Sequence, residues 1–182
     1  MREIEIKLKV DNLNELEKKL AENGCVFSEP INQHDIIYSL KNSQEKFSKS
    51  KEGDIIMRIR RQNNIAELNL KKQMSYEMDN IEYETEIKDP DAVHQILLLL
   101  GWRPEVKVKK MRKKGKLGEY EVCLDRVEKL GDYIELEKLT NDTNNPDEVR
   151  KELFEALEPF GLSKKDEETK GYDTQIYQLK NK

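Results

Sequence analysis

Apolar and polar residues alternate with period two over most of this chain, and three stretches break the alternation with helical spacing. Period-two alternation places successive side chains on opposite faces of a strand. It predicts strands over 2–10, 34–40, 54–61, 65–72, 81–88, 105–113, 118–125 and 132–138, with hairpin turns at Asn63-Asn64 and Lys114-Gly115 and a polar loop over 41–53. The helical stretches carry both start and stop signals. One runs from Leu13 to Asn23 behind Asp11 or Asn12, with Leu13, Leu16 and Leu20 on one face and Gly24 at its end. A second opens with Asp89-Pro90 and runs to Gly101, and a third opens with Asn145-Pro146 and ends near Gly161.

Many short strands with few helices between them favour antiparallel pairing, and eight strands suit a small closed barrel. The expected class is α+β, a closed eight-stranded antiparallel β-barrel with helices packed outside. At 182 residues the chain, 1–182, fits one domain. A Glu-x-Glu pair precedes each helix, at Glu3 and Glu5, Glu84 and Glu86, and Glu135 and Glu137, which reads as a recurring strand-helix unit.

The polar faces of these strands change the picture. Glu3, Glu5 and Lys7 share one face of the first strand while Ile4, Ile6 and Leu8 share the other. The same spacing recurs as Arg58 with Arg60, Asn69 with Lys71, Glu84 with Glu86, Lys110 with Arg112, and Glu135 with Glu137. For any one strand the plain reading is a charged face turned to water. If the sheet closes with these faces inward, however, the charges meet in a lumen where they must pair, hold metal or hold a ligand. Carboxylate pairs are hard oxygen ligands for magnesium or manganese, and Arg and Lys donate to phosphate oxygens.

Composition narrows the classes. Charged residues make up 38% of the chain against 36% apolar, and 33 basic against 37 acidic residues leave a formal net charge of −4. No global cationic field draws it to nucleic acid. The run Lys107 to Lys116 carries seven basic residues in ten but no interleaved aromatics, so Lys110 and Arg112 are read as facing a ligand and Lys109, Lys113 and Lys114 as solvated. Cys25 and Cys123 have neither zinc nor redox spacing, and no phosphate-binding Gly-rich loop or Gly-x-Ser-x-Gly elbow occurs. His34 and His94 lack catalytic partners, and Tyr38, Tyr120 and Tyr133 read as packing. The charged N-terminus and the short apolar run Ile96 to Leu100 predict a cytoplasmic protein with no membrane span.

The ordered set of motifs resembles the CYTH superfamily, the triphosphate tunnel metalloenzymes, in the branch of class IV adenylyl cyclase and thiamine triphosphatase. It comprises Glu3-Ile-Glu5-Ile-Lys7, Gln33-His-Asp35-Ile-Ile-Tyr38, Met57-Arg58-Ile-Arg60, Leu70-Lys71, Glu84-Thr-Glu86, Val108-Lys-Lys110-Met-Arg112 and Leu124-Asp125 through Glu135-Leu-Glu137. The resemblance implies that Glu3, Glu5, Asp125, Glu135 and Glu137 ligate Mg2+ or Mn2+. It implies a triphosphate cradle of Lys7, Arg58, Arg60, Lys71, Lys110 and Arg112, with Lys7, Glu5 and Asp125 at the chemistry. The implied reaction is conversion of ATP to cyclic AMP and pyrophosphate. The alternatives are a triphosphatase acting on tripolyphosphate, thiamine triphosphate or a nucleotide, and a noncatalytic polyphosphate or RNA binder. A homodimer is also implied, and the Gly171-Tyr172 segment resembles the family's end-closing tail. Glu82 departs from the family, which commonly has Arg at that position, two residues before Glu84.

Overall fold

The computed structural model describes residues 2–40, 51–141 and 143–180, so most of the predicted loop over 41–53 lies outside the described residues. In chain order the elements are β1 (Arg2–Lys9), α1 (Leu13–Glu22), β2 (Ile31–Ser39), β3 (Ile55–Gln62), β4 (Ile65–Gln73), β5 (Asp79–Glu86), α2 (Pro90–Leu99), β6 (Arg103–Leu117), β7 (Tyr120–Val127), β8 (Gly131–Thr140), α3 (Pro146–Leu157) and α4 (Tyr172–Lys180). All strand pairings are antiparallel, in the order β1-β5-β4-β3-β2-β6-β7-β8, and β8 pairs back onto β1 to close the barrel. The seam between β1 and β5 is short, spanning Arg2↔Ile81 to Ile4↔Asp79. There the Arg2 guanidinium donates to both oxygens of buried Asp79 at 2.8 Å, and Ser75 Oγ donates to the same carboxylate at 2.5 Å.

The helices form where the caps predict. The Asn12 side chain accepts from the Glu15 backbone N–H, Asp89 from those of Asp91 and Ala92, and Asn145 from that of Asp147. The main hydrophobic core lies outside the barrel wall. Ile4, Ile6 and Leu8 of β1 pack there against Leu13, Leu16 and Leu20 of α1 and Val149, Leu153 and Leu157 of α3. A second outer cluster seats Leu97 of α2 on Tyr38 and Ile59. Burying each of these large side chains contributes about 1.5–3 kcal/mol.

Two expectations are corrected. Lys114-Gly115 is not a hairpin turn: β6 runs on to Leu117, and the chain reverses at Gly118 with φ 61°. Gly115 lies mid-strand because a Cβ there would meet Cys25 Sγ at 2.8 Å and the Phe27 ring at 2.9 Å, so the glycine admits a close approach rather than a turn. α4 was not anticipated. It buries Tyr172, Asp173, Thr174 and Ile176, and Tyr172 and Ile176 join Ile37, Val106, Val108, Val127 and Tyr133 in an apolar plug.

Candidate functional site

Because the apolar faces turn outward to the helices, the polar faces of all eight strands turn inward. Lys7, Asp35, Arg60, Asn69, Lys110, Arg112, Asp125 and Glu135 are buried in consequence. All of them except Asn69 and Asp125 line a cavity of about 510 Å3, whose exposed lining residues include Glu84, Lys116 and Glu119.

One side of this cavity is acidic. The β1–β8 register sets Glu5 opposite Glu137, and Glu3, Glu5 and Glu137 each offer a carboxylate oxygen within 4.8 Å of the others. Burial, then Glu135, push the Glu5 carboxyl up to about 8. Burial and then Glu137 raise Glu3 well above the usual carboxylate range. Near neutral pH the cluster therefore carries protons unless a cation takes their place. Three convergent hard oxygens fit Mg2+ or Mn2+.

The other side is cationic. Arg112 donates through Nε and Nη2 to Asp125 at 2.7 and 2.5 Å and also pairs with Glu135. Burial opposes ionisation of Glu135, yet Arg112 and Lys110 outweigh it and hold the carboxyl well below its usual range. Lys110 stands 3.2 Å from Asp125, and burial followed by Arg112 lowers its ammonium to about 8. Arg60 makes a bidentate pair with Asp35 at 2.8 and 2.7 Å. Tyr172 donates its hydroxyl to Asp125 at 3.0 Å, and its ring lies 4.4 Å from Lys7 Nζ and 5.0 Å from Lys110 Nζ. Lys7 is 1% exposed and, among the described residues, has no carboxylate within ion-pair distance.

The six expected cradle residues, Lys7, Arg58, Arg60, Lys71, Lys110 and Arg112, line this one cavity. The five expected metal ligands divide. Glu3, Glu5 and Glu137 converge, whereas Asp125 and Glu135 hold Arg112. Lys114 is solvent-exposed as expected and also lines the cavity mouth beside Glu121 at 2.8 Å, because unbroken β6 keeps its even-numbered residues on the cavity side. Sequence reasoning assigned no role to Asp35 or Glu82, which also line the cavity, whereas Glu84 lines it as its inward-facing charge pair predicted. Asp35 carried a usable signal, since it alternates with Gln33 and Ile37 on β2. Glu86, grouped in sequence with Glu84, is exposed and stands opposite Glu67.

A family model described as the CYTH domain matches residues 1–172. The chain belongs to the CYTH family. Members of the CYTH family are in general metal-dependent enzymes acting on small triphosphates, in keeping with the acidic and cationic sides of this cavity. The chain is 31% identical over 166 residues to MJ0240 of Methanocaldococcus jannaschii, which bears a provisional adenylate cyclase name, covering 90% of this chain and 92% of that protein. Among solved structures, PH1819 of Pyrococcus horikoshii superposes with a TM-score of 0.80 at 26% identity, covering 99% of both chains. HpAC1 of Hippeastrum shares the CYTH barrel at 16% identity, with a TM-score of 0.62 over 98% of this chain and 95% of its own.

Proposed function

We propose that this CYTH protein is a divalent-metal-dependent enzyme acting on a linear triphosphate inside the barrel, with cyclisation of ATP to cyclic AMP and pyrophosphate as the first reading. One juxtaposition carries the proposal. A buried ammonium with no carboxylate within ion-pair distance among the described residues, Lys7, lies two residues along the same strand face from Glu5, in a carboxylate cluster that burial drives toward protonation. Both anomalies are relieved together by a cation among the acids and a polyanion against the lysine. Arg58 adds a buried Nε that donates to nothing among the described residues.

In this reading Glu3, Glu5 and Glu137 hold the metal, whose chemistry is to neutralise phosphate charge and acidify an attacking hydroxyl or water. Lys7, Lys110 and Arg112 orient the phosphate chain. Asp125 and Glu135 fix the Arg112 guanidinium so that its remaining donors face the cavity, and Asp35 does the same for Arg60. Fixed cations that need no reorientation stabilise the charge that develops on a pyrophosphate leaving group.

Hydrolysis of a triphosphate is the second reading. Tyr172 is the one aromatic residue lining the cavity among the described residues, and its ring is already engaged by Lys7 and Lys110, which gives adenine little aromatic surface to stack on. HpAC1, for its part, is described as having a dominant triphosphatase activity. Incubation with ATP, and separately with tripolyphosphate, in Mg2+ or Mn2+ separates the readings. Cyclic AMP formed faster than orthophosphate supports the cyclase, and orthophosphate alone supports the triphosphatase. Binding without turnover of either compound excludes both and leaves a noncatalytic binder. Glu5→Gln is expected to lower metal-dependent turnover about a hundredfold or more, read as initial product formation at saturating substrate.

A further inference from the structure

Glu82 is a cavity carboxylate that the reading above leaves without a task. The β4–β5 register places it directly opposite Lys71, and the two side chains form an ion pair while Asn69 Nδ2 donates to Glu82 at 2.9 Å. The pair is largely enclosed, with the Lys71 side chain 19% and the Glu82 side chain 14% exposed. Lys71 also faces Glu3 and Glu5, but burial drives those two toward protonation whereas Lys71 holds Glu82 ionised, so Glu82 is the carboxylate that offsets the Lys71 charge. On the opposite wall Lys110 and Arg112 share the carboxylates of Asp125 and Glu135, and Lys7, with no carboxylate within ion-pair distance among the described residues, stands opposite Glu135, so cations outnumber acids there. An incoming phosphate is therefore drawn to the β6 wall. At Lys71 it meets a charge already spent and the negative oxygens of Glu82.

We propose that Glu82 masks Lys71 and so makes triphosphate binding conditional on a divalent cation, a positioning and specificity role that rests on the function proposed above. Without metal, a phosphate at Lys71 must displace Glu82 or sit beside it against like-charge repulsion. A divalent cation held by Glu3, Glu5 and Glu137 would neutralise part of the phosphate charge, which weakens its repulsion from Glu82 and lets the chain reach Lys71. Glu82 thus discriminates against bare triphosphates and in favour of metal-loaded ones.

The test is calorimetric titration of the full chain with a non-hydrolysable methylene-bridged tripolyphosphate, in EDTA and in Mg2+. Glu82→Gln keeps an oxygen for Asn69 and removes the charge. It is expected to raise metal-free affinity about tenfold or more while changing affinity in Mg2+ much less. Glu82→Asp, which retains the charge, is expected to stay near the wild type. Glu82→Gln combined with Lys71→Met is expected to lose the gain, since the gain acts through Lys71. Unchanged metal-free affinity in Glu82→Gln, or a gain that survives Lys71→Met, overturns the inference. Should Glu82→Gln fail to fold, Glu82→Ser removes the same charge in a smaller side chain and is judged by the same two results. Failure of the wild type to bind the analogue even in Mg2+ would instead overturn the proposed function, and the inference with it.

Discussion

At the scale of single residues, the Asp35–Arg60 pair shows how the lumen tolerates its charges. Burial opposes ionisation of Asp35, but Arg60 and Arg58 outweigh it and hold the carboxyl well below its ordinary value of 3.8. A carboxyl lowered on folding stabilises the protein above its unfolded value and ceases to do so as pH falls through the folded one. Asp35→Asn leaves the Arg60 guanidinium buried without its anion and is expected to cost about 3–5 kcal/mol at pH 7 in urea unfolding. The gap from the wild type should narrow as pH falls below 3.8. A gap that stays constant to pH 2 would mean that the pair does not set the ionisation of Asp35. The period-two spacing was enough to put Glu3, Glu5, Lys7, Lys110 and Arg112 on common faces. It could not say which acid meets which base, because Asp35↔Arg60 and Lys71↔Glu82 are facts of register between strands. For the same reason the sequence did not show that Asp125 and Glu135, grouped with the metal ligands, also hold Arg112.

At the scale of elements, each predicted strand and helix exists, and the errors fall where packing overrides local pattern. Gly115 resembles a turn residue in sequence but serves as a gap in β6 for Cys25 and Phe27. Gly115→Ala is expected to destabilise by about 1–3 kcal/mol, because Sγ and the ring must both shift, and chemical denaturation measures it. A neutral result would return Gly115 to being an incidental strand residue. α4 escaped notice because its sequence, Tyr172-Asp-Thr-Gln-Ile-Tyr-Gln-Leu-Lys, mixes aromatic and β-branched residues of modest helix propensity. Its helical form instead accompanies the packing of Tyr172 and Ile176 on the apolar plug and the bond from the Tyr133 hydroxyl to Gln175 Oε1 at 2.9 Å.

At the scale of the whole molecule, the barrel separates stability from chemistry. Its main apolar core lies between wall and helices, and its charges lie inside. Leu153→Ala, deep in the outer core, is expected to cost about 2–5 kcal/mol while leaving the affinity for a metal-loaded triphosphate within about twofold. A large loss of affinity in that variant would mean that the two regions are not independent. The most direct test of the charged interior is a crystal of the protein grown with Mn2+ and the non-hydrolysable tripolyphosphate, with anomalous diffraction locating the metal. Manganese bound by Glu3, Glu5 and Glu137, with phosphate oxygens against Lys7, Lys110 and Arg112, is the predicted result. Manganese and phosphate found only on the outer surface, with the lumen holding water, would contradict it.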